Sequence, residues 1–529
     1  MRKQRGLLYN ALLLIGVSLM MRTIGMYFNV YISNKVGAEA MGVYSLIGGI
    51  YGFGITLATS GINLAVTRLV SEALGRGETR ECDKIMVRCL TYAIGFGFLA
   101  FILIFSFAEQ IAYHWLDDLR TIRPLRLLAA SLPPIAISSA LTGYFTARRR
   151  VYKNALTVFI EQGVRIFCTV TLLISILPSG IEYACIALAG GSLIAELVSL
   201  SILSCLFIFD PARRRVKLGG KGDKAVASGG NTQNAAISRP ASYTKALLGI
   251  TLPVAASSYV RSGLLSLEHS LIPTGLKKSG ISAEISLAVY GTLHSMVFPV
   301  LLFPAVLLTS CSSLLVPELA ESRALGDYAR IRRIVSRIMR LTLLFSIGVS
   351  VIMLFFSREL GSNLYEKSEY AGRYIGLLAP MIPIMYLDSM TDVMLKGLGQ
   401  QVYSMGVNIV DSLFSVILVW LLLPRYGIVS YIFIIYAAEI LNASLSIARL
   451  LSVSRVRPDI VGWLLKPILA AVGAVCIVRL IIGGGVGLDG AGLTYAIILS
   501  GLLYLLLLGG LFALERKDFV AARRLLGRR

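Results

Sequence analysis

The chain has 529 residues, 56% of them hydrophobic and 15% charged, with a formal net charge of +22. Soluble domains carry about 25% charged residues, so this balance excludes a string of water-soluble domains and points to one membrane-embedded body. A soluble protein this basic would suggest nucleic acid, but here the cations sit between apolar runs and no zinc-finger spacing or RNP-like aromatic motif accompanies them.

The first element begins with Met1-Arg2-Lys3-Gln4-Arg5 and imitates a secretory signal. No A-x-A-like site follows, and the apolar run continues past Arg22 to about Ser33, so it reads as a retained transmembrane helix, Leu7–Ser33. Hydropathy predicts five more spans in the first half: Ala40–Val70, Ile85–Phe107, Leu125–Thr146, Tyr152–Leu177 and Ile181–Phe209. Asp210 to Tyr243 follows, rich in Gly, Ser, Ala, Asn and Lys, a composition that buries no core and reads as a flexible cytoplasmic linker. The second half predicts Ala246–Thr274, Ile285–Val316, Ile334–Phe356, Tyr374–Leu395, Val402–Leu423 and Ile428–Leu450, then a final pair, Ile460–Ile482 and Ala491–Leu514. The expected fold is an all-α polytopic membrane protein of about fourteen helices, the longest of them tilted or projecting from the membrane.

Arginine and lysine fall in alternate loops. Arg76, Arg80, Lys84 and Arg88 form one group; Arg148, Arg149, Arg150 and Lys153 the next; then come Arg213 to Lys224, Arg330 to Arg337, Arg455 with Arg457, and the tail from Arg516 to Arg529. The intervening loops are short and poor in cations, Lys277 and Lys278 being the main exception. By the positive-inside rule this is a multi-pass cell-membrane protein with both termini in the cytoplasm.

The enzyme and cofactor classes find no support. The seven cysteines are scattered and contain no CxxC pair, which argues against a disulfide framework or a zinc site; His114, His269 and His294 are far apart, so no metal cluster is expected. The linker glycines contain no GxxxxGK[ST], so no ATP hydrolysis and no cofactor are expected.

The two halves repeat. Ser18-Leu-Met-Met-Arg22 pairs with Ser257-Ser-Tyr-Val-Arg261, Glu72 with Glu318, Val151-Tyr152 with Val402-Tyr403, and Gly180-Ile181 with Gly427-Ile428, in order and at similar offsets. Six helices per half keep both lobes in the same orientation, a parallel repeat with a substrate cavity expected at its centre. The domain scheme is residues 1–209 as the N-lobe, 210–243 as linker, 244–452 as the C-lobe, and 453–529 as an extra helix pair with a basic tail.

Leu19-Met-Met-Arg22-Thr-Ile-Gly25 with Ile32-Ser-Asn-Lys-Val-Gly37-Ala-Glu39-Ala-Met-Gly42-Val-Tyr44, and Gly61-Ile-Asn-Leu-Ala-Val-Thr-Arg68-Leu-Val-Ser-Glu72, resemble the start of the stage V sporulation protein B-like flippases. Gly397-Leu-Gly399-Gln400 and Leu423-Pro424-Arg425-Tyr426-Gly427 resemble their later signature. The family groups with murein-precursor flippases, oligosaccharide-lipid flippases and MATE-type exporters. This resemblance implies a polyprenyl-pyrophosphate-linked saccharide, such as lipid II, moved from inner to outer leaflet, with no enzyme activity. It also implies a cavity arginine on the first helix, which matches Arg22. An acidic residue early in the second helix is expected in such flippases; here Gly42 stands near that place.

A sugar-pyrophosphate head cannot enter hydrocarbon, so a flippase must offer a cation-lined polar cavity. Arginine suits the task, because its planar guanidinium grips phosphate oxygens bidentately and stays charged. Arg22 lies about 22 Å along the first helix, too deep to snorkel, and Arg261 is comparable in the seventh. Both are expected to clamp the pyrophosphate, the competing reading being a structural ion pair. Arg68, near a helix end, is a weaker candidate that snorkelling also explains, and Glu268 shares a helical face with Arg261. Asp388, Asp411 and Glu161 are candidate sites for a coupling Na⁺ or H⁺, with Glu196 similar. Arg165 is the expected partner of Glu161, and Asp392 with Lys396 an i,i+4 pair. Membrane potential offers another drive, about 2.3 kcal/mol per charge per 100 mV. The rival function is a cation-coupled multidrug exporter of the same fold, which would prefer acidic and aromatic cavity walls.

Overall fold

A computed structural model describes residues 2–59, 61–76, 79–176, 180–210, 243–310, 312–366, 368, 370–459, 461–482 and 488–510. Among these there is no strand, and ten helices are long and apolar enough to cross a membrane. The expected linker beyond Asp210 and the basic tail from 511 lie outside the described residues.

The chain begins with α1 (Arg2–Val36), α2 (Ala38–Thr59), α3 (Ile62–Gly75) and α4 (Thr79–Ser106). A π turn, Ile111–Leu116, leads to α5 (Ile122–Ala129) and α6 (Leu132–Ala147), then α7 (Val151–Ile176) and α8 (Ile181–Ile208). The second half opens with α9 (Tyr243–Lys278) and α10 (Ala283–Gly291), which runs into a π turn, Thr292–Val297. It continues with α11 (Ser312–Ala324), α12 (Tyr328–Phe355), α13 (Ser357–Leu364), α14 (Ala371–Leu378) and α15 (Ile382–Gly397). The last elements are α16 (Gln401–Ser454), α17 (Lys466–Ile482) and α18 (Gly490–Gly510). At 1.5 Å per residue the 54 residues of α16 would extend about 80 Å, far more than a bilayer. The run breaks at Gly427, whose φ of 59° and ψ of −138° only glycine adopts at low cost, just after the helix-breaking Pro424.

One pair of helices, α6 in the first half and α15 in the second, is built alike. α6 and α15 are both 16 residues long, both carry proline in their first turn, and both follow an 8-residue helix. Each ends in a left-handed residue, Arg149 (φ 57°) and Gly399 (φ 65°). On each, one glycine admits a neighbour: a Cβ on Gly143 would stand 2.8 Å from the Asn63 carbonyl oxygen, and one on Gly397 3.0 Å from Leu319 Cβ. Small residues at such crossings let helices approach closely without a side chain intervening.

The compact units do not follow chain order. One is Val43–Thr274; the other joins Met1–Gly42 to Gly275–Arg529. The lobes drawn from the sequence, 1–209 and 244–452, therefore differ from the packed units by an exchange of α1 and α9. Side-chain contacts show why. Asn34 Nδ2 donates to the Leu364 carbonyl at 2.7 Å, and Ser295 Oγ donates to the Met41 carbonyl at 3.3 Å, tying α1 and the start of α2 to the second half. In the other unit Ser266 donates to the Gly49 carbonyl at 2.7 Å and Tyr243 to Glu81 Oε2 at 2.5 Å, tying α9 to α2 and α4. The final pair, α17 and α18, packs on α12, where Tyr504 donates to the Leu344 carbonyl at 2.6 Å and its ring covers Gly348.

Candidate functional site

Arg22, on α1, belongs to the unit of residues 1–42 and 275–529, and Arg261, on α9, to the unit of residues 43–274. Both side chains are exposed, and among the described residues neither has a hydrogen bond or an ion pair. Among the described residues the structural ion pair weighed for them is not formed. Both lie far from the ends of their helices, where a charge costs most in hydrocarbon. Glu268 is half-buried two turns beyond Arg261 on the same helix. Arg68 is different: its side chain is 63% exposed and its Nε lies 2.9 Å from Glu72 Oε1, an i,i+4 surface pair.

Within the unit of residues 43–274, Arg165 Nη2 lies 2.7 Å from Glu161 Oε1 and 3.2 Å from Glu196 Oε1. The expected α7 pair is thus present, and α8 adds a third member. Glu161 and Glu196 line a cavity of about 320 Å³ with Ser138, Asn154 and Thr157. With one guanidinium between two carboxylates, Glu161 is engaged as a structural partner in this conformation.

At the end of α8 the same unit holds a buried charge cluster. Asp210 is fully buried and accepts hydrogen bonds from the Tyr144 hydroxyl at 3.1 Å and from Arg150 Nη1. Arg148 lies 3.7 Å and Lys153 3.9 Å from the same carboxylate. The sequence reading treated these cations only as topology markers and missed the cluster, because Asp210 stands at the edge of the linker.

In the other unit, Asp388 on α15 and Asp411 on α16 both act electrostatically on Glu439, later on α16. Asn442 Nδ2 donates to Asp388 Oδ2 at 3.1 Å. Sequence reasoning found the two aspartates and missed Glu439 and Asn442. A carboxylate inside the apolar run of residues 428–450 was the signal available. Among the described residues no group of three His, Cys, Asp or Glu is disposed to hold a metal ion. Asp392 pairs with Lys396 at 2.6 Å, as the i,i+4 spacing implied. His294 makes a 2.6 Å hydrogen bond with the Tyr431 hydroxyl, the structural role usual for a lone histidine in a membrane helix.

Comparison with known proteins agrees over nearly the whole chain. Residues 7–233 match the family described as "Polysaccharide biosynthesis protein", and residues 279–421 match MatE. Stage V sporulation protein B of Bacillus subtilis (strain 168) is 28% identical over 454 residues, covering 85% of this chain and 84% of that one. The lipid II flippase MurJ of the same organism is 22% identical over 417 residues, covering 75% and 74%. A solved lipid II flippase MurJ in an inward closed conformation superposes with a TM-score of 0.71 at 15% identity, over 96% of this chain and all of that one.

The chain is thus similar to polysaccharide-biosynthesis proteins over residues 7–233 and to MatE over residues 279–421, and it shares the fold of the solved flippase. That shared fold accounts for the succession of long apolar helices. Gly42 also gains a physical explanation. A Cβ there would overlap the Leu287 carbonyl, and one on Gly291 would overlap the Ala38 carbonyl, so the start of α2 and α10 pack through two facing glycines. An acidic side chain has no space at Gly42, and the acidic role expected early in the second helix is not filled by that residue.

Proposed function

We propose that this protein is a cell-membrane flippase for a polyprenyl-pyrophosphate-linked saccharide, lipid II or a related cell-wall or polysaccharide precursor. It moves that lipid from the inner to the outer leaflet by alternating access, with both termini cytoplasmic. The observation that carries the reading is that Arg22 and Arg261 are exposed and make no ion pair among the described residues, in a chain similar to stage V sporulation protein B and MurJ. Arg22 and Arg261 clamp the pyrophosphate, and Glu268 tunes the charge beside Arg261. Arg68, already paired with Glu72, is a positioning residue at a helix end. The prenyl tail stays in lipid, so only the head crosses through protein.

The acids divide. Glu161 is engaged by Arg165, whereas Asp388, Asp411 and Glu439 crowd three carboxylates into one unit. Like charges acting on one another are relieved by a proton, so this group is the place for coupling to H⁺. The MatE match over residues 279–421, which contains Asp388 and Asp411, keeps a cation-coupled exporter as the alternative.

The test is exchange in proteoliposomes, with a fluorescent polyprenyl-pyrophosphate disaccharide on one leaflet and a quencher outside. Wild-type protein exchanges the lipid, and Arg22→Ala with Arg261→Ala abolishes the exchange. Unchanged exchange by the double variant refutes the clamp. No exchange by wild type, with uptake of a cationic dye under a Na⁺ or H⁺ gradient, assigns the protein to drug export.

A further inference from the structure

A second pocket lies on α1, past Arg22 in the chain. It has a volume of about 570 Å³, within the roughly 300–1,000 Å³ of small-molecule sites. Thr23, Met26, Tyr27, Val30, Tyr31 and Asn34 face it at spacings of three and one, a single helical stripe. Its other wall includes Phe303, the end of α13 with Asn363, and Glu366 in the turn that follows. All of these residues belong to the unit of residues 1–42 and 275–529.

The chemistry of the lining is distinctive. Tyr27 and Tyr31 stand one turn apart, and Tyr27 is 79% exposed, an aromatic face with little protein over it. Asn34 donates to the Leu364 carbonyl at 2.7 Å, which fixes its amide, yet its Oδ1 is buried without a hydrogen-bond partner. Buried polar atoms are nearly always satisfied, so this oxygen is an acceptor awaiting a donor. The Asn363 amide is held by the Glu359 carbonyl at 2.8 Å and the Leu488 carbonyl at 3.0 Å, so that wall is rigid as well. Glu366 and Lys35 add one charge of each sign, and among the described residues no arginine lines the pocket. A phosphate site would use the guanidinium fork. Phenol rings, fixed amides and a carboxylate instead match a ligand with apolar C–H faces and many hydroxyl groups.

We propose that this pocket is a saccharide site. A sugar ring lies on the face of Tyr27 or Tyr31, and its hydroxyl and amide groups donate to Asn34 Oδ1 and the Glu366 carboxylate. The assignment of the sugar to a lipid-linked substrate rests on the flippase reading. On that reading Arg22 takes the pyrophosphate while the sugar occupies a stretch beginning roughly 7 Å further along α1 and ending roughly 18 Å from Arg22. One helix then reads both parts of the head.

The test uses the full-length protein in nanodiscs with free N,N′-diacetylchitobiose as probe, followed by saturation-transfer NMR. Wild type and Tyr27→Phe, which keeps the ring, transfer saturation to the sugar protons. Tyr27→Ala and Asn34→Leu lose at least fivefold of that signal while eluting as monodisperse protein. Equal transfer in Tyr27→Ala and Asn34→Leu, or none in wild type, overturns the proposal. Lipid exchange separates this from the function. Sugar binding with no exchange of any polyprenyl-pyrophosphate lipid sinks the flippase and leaves the pocket standing. Exchange in which these variants slow a sugar-free polyprenyl pyrophosphate as much as the disaccharide lipid sinks the saccharide site alone.

Discussion

Replacing Asp210 by alanine removes the only carboxylate among the described residues that lies within 4 Å of Arg148, Arg150 and Lys153. The side chains of Arg148 and Lys153 are each only 10% exposed, so water cannot take over the missing charge. Removing one partner of a buried ion pair costs about 3–5 kcal/mol, because the remaining charge stays desolvated. For a unit the size of residues 43–274, each kcal/mol lowers the melting midpoint by about 2–4 °C, which gives a drop of about 6–20 °C. Asp210→Asn keeps an acceptor for the Tyr144 hydroxyl and loses the charge, so it falls between wild type and Asp210→Ala. The assay is a thermal melt of the full chain in detergent, read by fluorescence size exclusion. Because the cluster is buried, 1 M NaCl leaves most of the deficit in place. Adding Lys153→Met to Asp210→Ala restores part of it, since one stranded cation is gone. A midpoint for Asp210→Ala within 2 °C of wild type would refute the reasoning.

Four further outcomes follow from the same geometry. Gly42→Leu forces a side chain into the Leu287 carbonyl and lowers folded yield by the effect of about 1–3 kcal/mol or more of overpacking, whereas Gly48→Ala, with nothing within 4 Å, is neutral in the same melt. Gly427→Ala strains a positive-φ backbone by about 1–3 kcal/mol and lowers the midpoint of the full chain. Asp392→Ala breaks a partly exposed pair with Lys396 and also removes the acceptor of the buried Ser404 hydroxyl, so it costs about 1–3 kcal/mol in the same melt. Glu439→Gln reduces the dependence of lipid exchange on an imposed Na⁺ or H⁺ gradient, measured in proteoliposomes; an unchanged gradient response removes the cluster from coupling.

The membrane class and most of the helices were legible in the residues alone. These follow from properties that a short stretch carries alone: apolar runs long enough for a bilayer, breaks at Pro424 and Gly427, and cations concentrated in alternate loops. The i,i+4 pairs Glu161–Arg165 and Asp392–Lys396 were legible for the same reason, since helical spacing fixes them before any tertiary contact forms. Arg22 and Arg261 stood out as charges at membrane depth. Which helices pack together depends on contacts between distant segments. The exchange of α1 and α9 rests on contacts such as Asn34 with Leu364 and Ser266 with Gly49, across hundreds of residues, and no local pattern encodes them. The same holds for Glu439 beside Asp388 and Asp411, for Glu196 joining the Glu161 pair, and for Asp210 under three cations. It also explains Gly42, where the sequence offered an unfilled acidic position and the packing shows a helix crossing too close for any side chain. Periodicity and charge are properties of the segment, whereas the neutralisation of a buried charge depends on which distant segment folds against it.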